Sequence, residues 1–355
     1  MDTMTQAPSP VSSDRPGGSQ PWKGFSLDIA RSFYPLPVLV RMVDRLADLG
    51  LNVFHLHLTD DQGWRIEIPG RPELTERSGA TAVRGGDSGW LTVGDWSALV
   101  AHGQARGVAI VPEVDVPGHT NAALHACHEL NPGGVAPDAY DGDKVGFSQL
   151  RADLPATEVF LRDVFGALAD MTPGEWIHIG GDECQSMTDP EYVDLVQMVT
   201  GIVESTGKKP VAWQEAALAD LGERLALQFW MSVDNEDKWA AMDPAVLEKS
   251  PSVRSRRALL RQAAKGAGVI MSPARYAYFD MKYELSDQRG QDWAGCLSVD
   301  KARDWDPRTV LPGLDPARIM GLEAAMWTEF IHTEADLHAM VQPRLAAFAE
   351  VANRF

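Results

Sequence analysis

Short apolar runs alternate with helical patterns along most of the chain. Residues 24–30 predict a strand, and the apolar residues that follow between 39 and 46 recur at i, i+3, i+4 and i+7, as on one face of a helix. Similar apolar runs predict seven further strands, at 52–59, 108–116, 176–181, 210–213, 225–230, 268–271 and 319–327. Further helices are predicted at 96–107, 154–170, 190–206, 256–267 and 334–351.

Alternation of strands and helices indicates a parallel sheet with right-handed crossovers. Eight such units over this length favour an α/β fold of the (β/α)8 TIM-barrel type, in which residues 22–355 form a single catalytic domain. The competing open dinucleotide-binding sheet would carry a glycine-rich turn after its first strand. The sequence Leu-Asp-Ile-Ala-Arg at 27–31 has no such turn.

Residues 1–21 have a different composition, rich in Ser, Pro, Gly, Thr and Asp. Such a segment cannot bury enough apolar surface to offset the entropy of ordering it, so we expect a disordered N-terminal tail. The tail also lacks the apolar core of a secretory signal, and the chain has no long apolar run. These features predict a cytoplasmic protein.

The net charge of the chain excludes some kinds of binding partner. Against 32 Lys and Arg stand 50 Asp and Glu, a formal net charge of −18. Phosphate binding needs a basic face, so nucleic acid and anionic membranes are poor partners. Three cysteines are too few, and odd in number, for a disulfide framework.

Polar and aromatic residues follow nearly every predicted strand. In strand order they are Asp28 and Arg31; His55, His57, Asp60 and Asp61; Glu113, Asp115 and His119; Asp182 and Glu183; Trp213 and Glu215; Trp230; Tyr278 and Asp280; and Trp327 and Glu329. The strand ends of such a barrel meet at one face, where active sites lie. Carboxylates that can move protons, together with flat aromatic walls, indicate a carbohydrate site.

Several longer stretches resemble glycoside hydrolase family 20, in the family's order. They are LDIARSFYP, NVFHLHLTDDQGWRIEI, VPEVDVPGHTNA, IHIGGDEC, AWQEA, QFWMS, YFDMKY and AAMWTEF. The resemblance covers about residues 24–355. It implies an exo-acting β-N-acetylhexosaminidase, and it implies retention of configuration with help from the substrate's own acetamido group.

The resemblance also implies roles for the residues around the reaction. Glu183 would be the general acid and then the base, and Asp182 would hold the acetamido N–H and stabilise the developing positive charge. His119 with Asp60 would form a relay behind Glu183, and Asp115 would brace the neighbouring loop. Adjacent carboxylates agree with this scheme. In an ordinary retaining enzyme the nucleophile and the acid flank the glycosidic bond from opposite faces, which two neighbouring residues cannot easily do. We expect Asp182 to be ionised.

Substrate-binding roles follow from the same resemblance. Trp213, Trp230 and Trp327 would form the walls around the sugar and its acetamido methyl, with Tyr278 donating to the acetamido oxygen. Arg31 and Glu329 would hold the 3- and 4-hydroxyls, and Asp280 would face the 6-hydroxyl. Strand spacing does not decide whether Asp60 or Asp61 points inward.

Other interpretations remain open at this level. A non-catalytic amino-sugar-binding barrel would keep the aromatic walls, and an ordinary retaining glycosidase would use a protein nucleophile. The pair His55 and His57 shares one strand face and could serve a metal, but later strands offer few matching ligands, so we expect no metal and no cofactor. The family usually has a small α/β domain before the barrel, and a homodimer is one way to cover that flank. Preference between GlcNAc and GalNAc is not readable.

Overall fold

The computed structural model describes residues 20–231 and 249–355. The tail predicted over residues 1–21 lies outside the described residues, apart from its last two positions.

Within those ranges, eight parallel strands close into a barrel, and each strand pairs with its sequence neighbours. This confirms the predicted (β/α)8 architecture. The barrel strands are β1 (Trp22–Asp28), β2 (Val53–His57), β3 (Ala109–Glu113), β4 (Trp176–His178), β5 (Lys209–Trp213), β6 (Ala226–Phe229), β7 (Val269–Met271) and β8 (Ile319–Met326). A small hairpin, Thr59–Asp60 with Gly63–Trp64, follows β2.

Helices surround the barrel. In chain order they are α1 (Leu36–Asp48), α2 (Glu73–Ser78), α3 (Val93–Arg106), α4 (Asn121–Ala126), α5 (Pro155–Met171), α6 (Asp189–Ser205), α7 (Pro251–Ala264), α8 (Ala274–Ala277), α9 (Val299–Arg303), α10 (Glu334–Val341) and α11 (Arg344–Arg354). Two 3₁₀ helices, Gln214–Ala219 and Gly222–Arg224, replace an α-helix between β5 and β6.

Local sequence explains how these helices form. In α1 the predicted face, Leu39, Met42, Val43 and Leu46, is buried in the core, and each such side chain contributes about 1.5–3 kcal/mol when fully buried. The start of α3 is a capping box. The Thr92 side chain accepts from the Asp95 backbone N–H, and the Asp95 carboxylate accepts from the Thr92 N–H.

The prediction of a single helix over residues 334–351 was wrong, because the structure has two helices there. Helix α10 ends at Val341, and α11 begins at Arg344. Pro343 lies between them and has no backbone N–H to continue the ladder. The Arg344 side chain instead donates to carbonyl oxygens of Met340, Met281 and Phe279.

The barrel interior has two layers of different character. Apolar side chains fill its lower end: Trp22, Val53, Val111, Val211, Ala226, Ile270 and Met320. Above them lies a fully buried polar layer that includes His55, Glu113, His178, Gln228 and Glu323. Buried polar groups are costly unless paired, and this layer leads upward to the strand ends. None of the described helices is long and apolar enough to span a bilayer.

Candidate active site

A cavity of about 290 Å³ opens at the carboxyl ends of the strands. Its size is near the lower limit, about 300 Å³, of small-molecule sites, as suits one sugar ring. Eleven of the twelve predicted site residues line it; Trp213 does not. The lining is Arg31, His57, Asp60, Asp115, His119, Asp143, Val145, Asp182, Glu183, Trp230, Tyr278, Asp280, Gln291, Trp293, Trp327 and Glu329.

The loop after β4 carries Asp182 and Glu183. Two glycines let it turn sharply, since Gly180 has φ +70° and Gly181 has φ +101°. A Cβ at Gly180 would lie 1.8 Å from Asp115 Oδ1. The Gly181 N–H donates to that same oxygen at 2.9 Å, so Asp115 contacts the loop that carries Asp182 and Glu183.

Asp182 lies deep in the cavity wall and is 8% exposed. Burial raises its pKa to about 6, with nearby His119 opposing the rise and Glu183 adding to it. Burial, together with Asp182, also raises the pKa of Asp115 well above its usual range. A pKa of about 6 means that Asp182 takes up a proton as the pH falls through that value.

One oxygen of Asp182 has a distinctive environment. Oδ1 is buried, yet it makes no hydrogen bond to any residue that the structure describes. A buried carboxylate oxygen without a donor is costly. It therefore offers a place for a donor that comes from a ligand in the cavity.

Glu183 stands nearer the opening, with 27% of its side chain exposed. His119 Nε2 lies 3.5 Å from Glu183 Oε2 and 3.9 Å from Asp182 Oδ2. The other ring nitrogen, Nδ1, is 3.2 Å from Asp60 Oδ1. Burial alone would lower the pKa of His119, but Asp60 and Asp182 raise it well above its usual value. A cationic imidazole therefore faces both carboxyl groups of the loop.

The structure also decides between Asp60 and Asp61. Asp60 faces the cavity and contacts Arg31 Nη2 at 2.8 Å and His57 Nε2 at 2.8 Å. Asp61 turns toward the adjacent loop, where it accepts from the Asn121 N–H and from the Ser148 hydroxyl. Burial would raise the pKa of Asp60, but Arg31 and His119 outweigh it and hold the pKa far below its usual range.

The opposite wall of the cavity holds Arg31, Asp280 and Glu329. Arg31 Nη1 is 3.7 Å from Glu329 Oε1, and Arg31 is buried and cationic. Burial raises the pKa of Asp280 and also that of Glu329. Both oxygens of Asp280 and Oε2 of Glu329 lack hydrogen-bond partners within 20–231 and 249–355. This wall can therefore accept several hydroxyl groups.

Aromatic rings form the remaining wall. Trp230 and Tyr278 are nearly parallel, with ring centroids 6.2 Å apart, and Trp327 lies 6.1 Å from Tyr278. Trp213 was predicted to belong to this wall, but the structure places it one layer below. Its ring is fully buried 5.7 Å from that of Trp327, and its Nε1 donates to Glu113 at 2.8 Å. The hydrogen bond to Glu113 keeps the Trp213 ring in the polar layer. Trp213 therefore packs under Trp327 and supports the wall from beneath.

Five lining residues were not among the predicted site residues. His57 lies at the end of β2 and was named only as a strand-end residue, whereas Asp143, Val145, Gln291 and Trp293 lie on long loops. Trp293 is 53% exposed, and its ring stands edge-on to Trp230 and Tyr278. A tryptophan in an otherwise polar loop was the one available signal for this part of the wall.

Four groups of side chains near the cavity are close enough to share a cation: His55, Glu113 and His178; His57, Glu113 and Asp115; Asp60, Asp115 and His119; and His119, Asp182 and Glu183. However, His55 Nδ1 faces Glu323, and both nitrogens of His57 face carboxylates. Those nitrogens carry protons and offer no lone pair to a metal. The geometry is that of hydrogen-bonded acid–imidazole pairs.

The chain matches the family model for the "Glycosyl hydrolase family 20, catalytic domain" over residues 20–353. It is 45% identical to a β-N-acetylhexosaminidase of Cellulomonas fimi, over 93% of this chain and 63% of the relative. It is 30% identical to a β-hexosaminidase of Vibrio furnissii, over 92% and 56% of the two chains.

Solved structures agree with these sequence matches. A GH20 β-N-acetylhexosaminidase from Streptomyces coelicolor A3(2) superposes with a TM-score of 0.86 at 38% identity, over 93% of this chain and 64% of that one. An N-acetyl-β-hexosaminidase of Streptomyces plicatus, in complex with thio-NAglucal, gives a TM-score of 0.86 at 39% identity over 93% and 63%. The chain therefore spans less than two thirds of the length of these four relatives.

Proposed function

Since the chain belongs to glycoside hydrolase family 20, we propose that it removes terminal β-linked N-acetylhexosamine from the non-reducing end of glycosides. The carbonyl oxygen of the substrate's acetamido group makes the first bond to the anomeric carbon. The product of that step is an oxazolinium-type intermediate, which water then opens with net retention of configuration.

The observation that carries this proposal is the buried, unpartnered Oδ1 of Asp182. It lines the same cavity as the rings of Trp230, Tyr278 and Trp327. An acetamido group has both properties that such a place requires, since its N–H can donate to the carboxylate and its methyl is apolar. A hydroxyl at the same sugar position would satisfy the oxygen but leave the aromatic wall without an apolar partner.

The neighbouring groups fit the steps that follow. Glu183 is the more exposed of the two carboxyls and protonates the departing oxygen, after which its carboxylate takes a proton from the incoming water. Asp182 stabilises the positive charge that spreads over the acetamido group as it attacks. Tyr278 donates to the acetamido oxygen and aims it at the anomeric carbon.

The sugar hydroxyls would contact the opposite wall. Arg31 and Glu329 hold the 3- and 4-hydroxyls, and Asp280 accepts from the 6-hydroxyl. The relatives support this choice of sugar. The Cellulomonas fimi protein is named a β-N-acetylhexosaminidase, and one Streptomyces plicatus structure is a complex with the product GlcNAc. We propose that both GlcNAc and GalNAc glycosides are accepted.

A substrate panel tests the proposal. Nitrophenyl β-glycosides of GlcNAc, GalNAc and glucose share one leaving group, and the glucoside lacks the acetamido group. We expect turnover of both N-acetyl substrates and no comparable turnover of the glucoside. A thiazoline analogue of the bicyclic intermediate should inhibit competitively. Equal turnover of the glucoside, or a glycosyl ester trapped on a carboxylate of this chain, would contradict the mechanism.

A further inference from the structure

A line of alternating carboxylates and imidazoles runs through the barrel interior and ends at Glu183. From the floor upward its members are Glu323, His55, Glu113, His57, Asp60, His119 and Glu183. We call it the acid–imidazole line. Below Glu183 every member is buried, and Glu323, His55 and Glu113 are fully so. The roles assigned above use only the upper end of this line.

His57 is the central link. Its Nδ1 lies 2.8 Å from Glu113 Oε2, and its Nε2 lies 2.8 Å from Asp60 Oδ2. Both neighbours are carboxylates, so both ring nitrogens must donate, and the ring is an imidazolium. Burial alone would lower the pKa of His57, but Glu113 and Asp60 raise it well above its usual value. Asp115 adds a further carboxyl near the ring.

Glu113 fixes the lower side of His57. Its Oε1 accepts from Trp213 Nε1 at 2.8 Å and lies 2.9 Å from His178 Nδ1. Its Oε2 is shared between His57 at 2.8 Å and His55 Nε2 at 3.0 Å. Burial would raise the pKa of Glu113, but the three histidines lower it well below its usual range. The carboxylate therefore stays charged and cannot rotate without losing several contacts.

Asp60 transmits this constraint to the cavity. Oδ2 of Asp60 contacts His57 and Arg31, while Oδ1 accepts from the Asp61 backbone N–H at 2.6 Å and faces His119 Nδ1 at 3.2 Å. Without His57, Arg31 alone would hold Oδ2, and the Asp60 carboxylate could tilt away from His119. His119 would then lose the partner that orients its ring toward Glu183.

We propose that His57 and Glu113 are positioning residues, which hold Asp60, and through it His119, in the arrangement that proton donation by Glu183 requires. This inference rests on the proposed function. It predicts that their loss impairs departure of poor leaving groups, which need a proton, far more than departure of nitrophenolate, which does not.

Two amide variants of His57 test whether the hydrogen bond to Asp60 matters, or only the filling of the buried position. In His57→Gln the amide nitrogen can take the place of Nε2 and still donate to Asp60, whereas in His57→Asn it takes the place of Nδ1 and reaches only Glu113. Both variants remove the ring and its charge. The control is Gln228→Met, which removes an equally buried hydrogen bond to Glu323 at the floor of the barrel.

The measured quantity is kcat/KM, which reports the steps up to departure of the leaving group, for N,N′-diacetylchitobiose and for the nitrophenyl GlcNAc glycoside. We expect His57→Asn to lose roughly 100-fold on the disaccharide, within the usual range for general acid catalysis. His57→Gln should lose several-fold less. Both variants should change little on the aryl glycoside, and Gln228→Met should change little on either substrate.

Equal losses on both substrates, equal losses in the two His57 variants, or the same leaving-group pattern in Gln228→Met would overturn the inference.

A measurement on the unaltered protein tests the same inference even if the variants do not fold. With ¹⁵N-labelled histidine, the two ring nitrogens of His57 should both give protonated imidazolium signals at pH 7. An unprotonated ring nitrogen at His57 would refute the inference directly.

The two proposals fail in different ways. If the unaltered protein hydrolyses neither N-acetyl substrate, the proposed function is wrong. If it hydrolyses both and the His57 variants show no leaving-group dependence, only the positioning role is wrong.

Discussion

His119 Nε2 lies 3.5 Å from Glu183 Oε2, and both residues have left-handed backbones, with φ of 54° and 51°. A positive φ is unfavourable for residues other than glycine and persists only where the surroundings enforce it. Here the conformation brings two side chains from different loops, after β3 and after β4, to the same side of the cavity. The contact is the shortest approach of a cationic group to Glu183 among the ion pairs of the described residues.

We predict from this contact that Glu183→Gln loses much more activity on substrates with poor leaving groups than on substrates with good ones. The amide keeps the shape of the side chain but cannot give up a proton, so kcat/KM for N,N′-diacetylchitobiose should fall by roughly 100- to 10,000-fold. The fall for a nitrophenyl glycoside should be much smaller. Glu76→Gln, at an exposed position on α2, is the control. Undiminished hydrolysis of the disaccharide would remove Glu183 from the acid role.

Asp182 leads to a prediction about stability. Its pKa is raised to about 6 in the folded protein, mainly by burial, against about 3.9 in an unfolded chain. The folded state therefore holds the proton more tightly, and this contribution is present below about pH 4 and lost as the pH rises through 6. Asp182→Asn has no charge to desolvate, so it should be more stable than the unaltered protein at pH 7.5, by about 1–3 kcal/mol.

Urea unfolding of both proteins at pH 4 and pH 7.5 measures this difference. The advantage of Asp182→Asn should shrink toward pH 4. Asp194→Asn, on the exposed side of α6, should show no such trend. A stability difference that is the same at both pH values would mean that the folded protein does not raise the pKa of Asp182.

The barrel was predictable because its strands are local features of the sequence. Each apolar run is bounded by turn residues, and all eight predicted strands coincide with observed ones to within a few residues. The break at Pro343 was also visible in the sequence. The apolar spacing on both sides of Pro343 nevertheless suggested one continuous helix, and the missing N–H decided otherwise.

Contacts between distant residues could not be predicted in this way. His55 and His57 were expected to share one strand face, but their carboxylate partners are 268 and 56 positions away, at Glu323 and Glu113. Likewise nothing local to Trp213 tells whether its ring lines the cavity or lies under Trp327. That depends on the acceptor that Glu113 offers, and this acceptor is known only once the barrel is closed.

Tyr278 and Tyr276 make a matched pair for a third prediction. Tyr278 lines the cavity, whereas Tyr276 stacks on Trp305, with ring centroids 5.5 Å apart, away from it. If the Tyr278 hydroxyl aims the acetamido oxygen, Tyr278→Phe should lower kcat for the nitrophenyl GlcNAc glycoside by roughly 10- to 1,000-fold, as removal of one preorganised donor does. Its affinity for the thiazoline analogue should fall as well. Tyr276→Phe should leave both quantities unchanged, and an unchanged Tyr278→Phe would exclude this donor.

The last prediction concerns the backbone that carries Asp182 and Glu183. Gly180 has φ +70°, and an added Cβ would lie 1.8 Å from Asp115 Oδ1 and 2.6 Å from Asp115 Cα. Gly180→Ala must therefore push the loop away from Asp115. Because a misplacement of about 1 Å can cost an enzyme about 100-fold, we expect a loss of about that size in kcat/KM. Gly166, in the middle of α5, has no atom within 4 Å of an added Cβ. Gly166→Ala should keep full activity and gain up to about 1 kcal/mol in unfolding free energy, because alanine is the better helix former. Full activity in Gly180→Ala would show that the Asp115 contact does not determine where the two carboxyls lie.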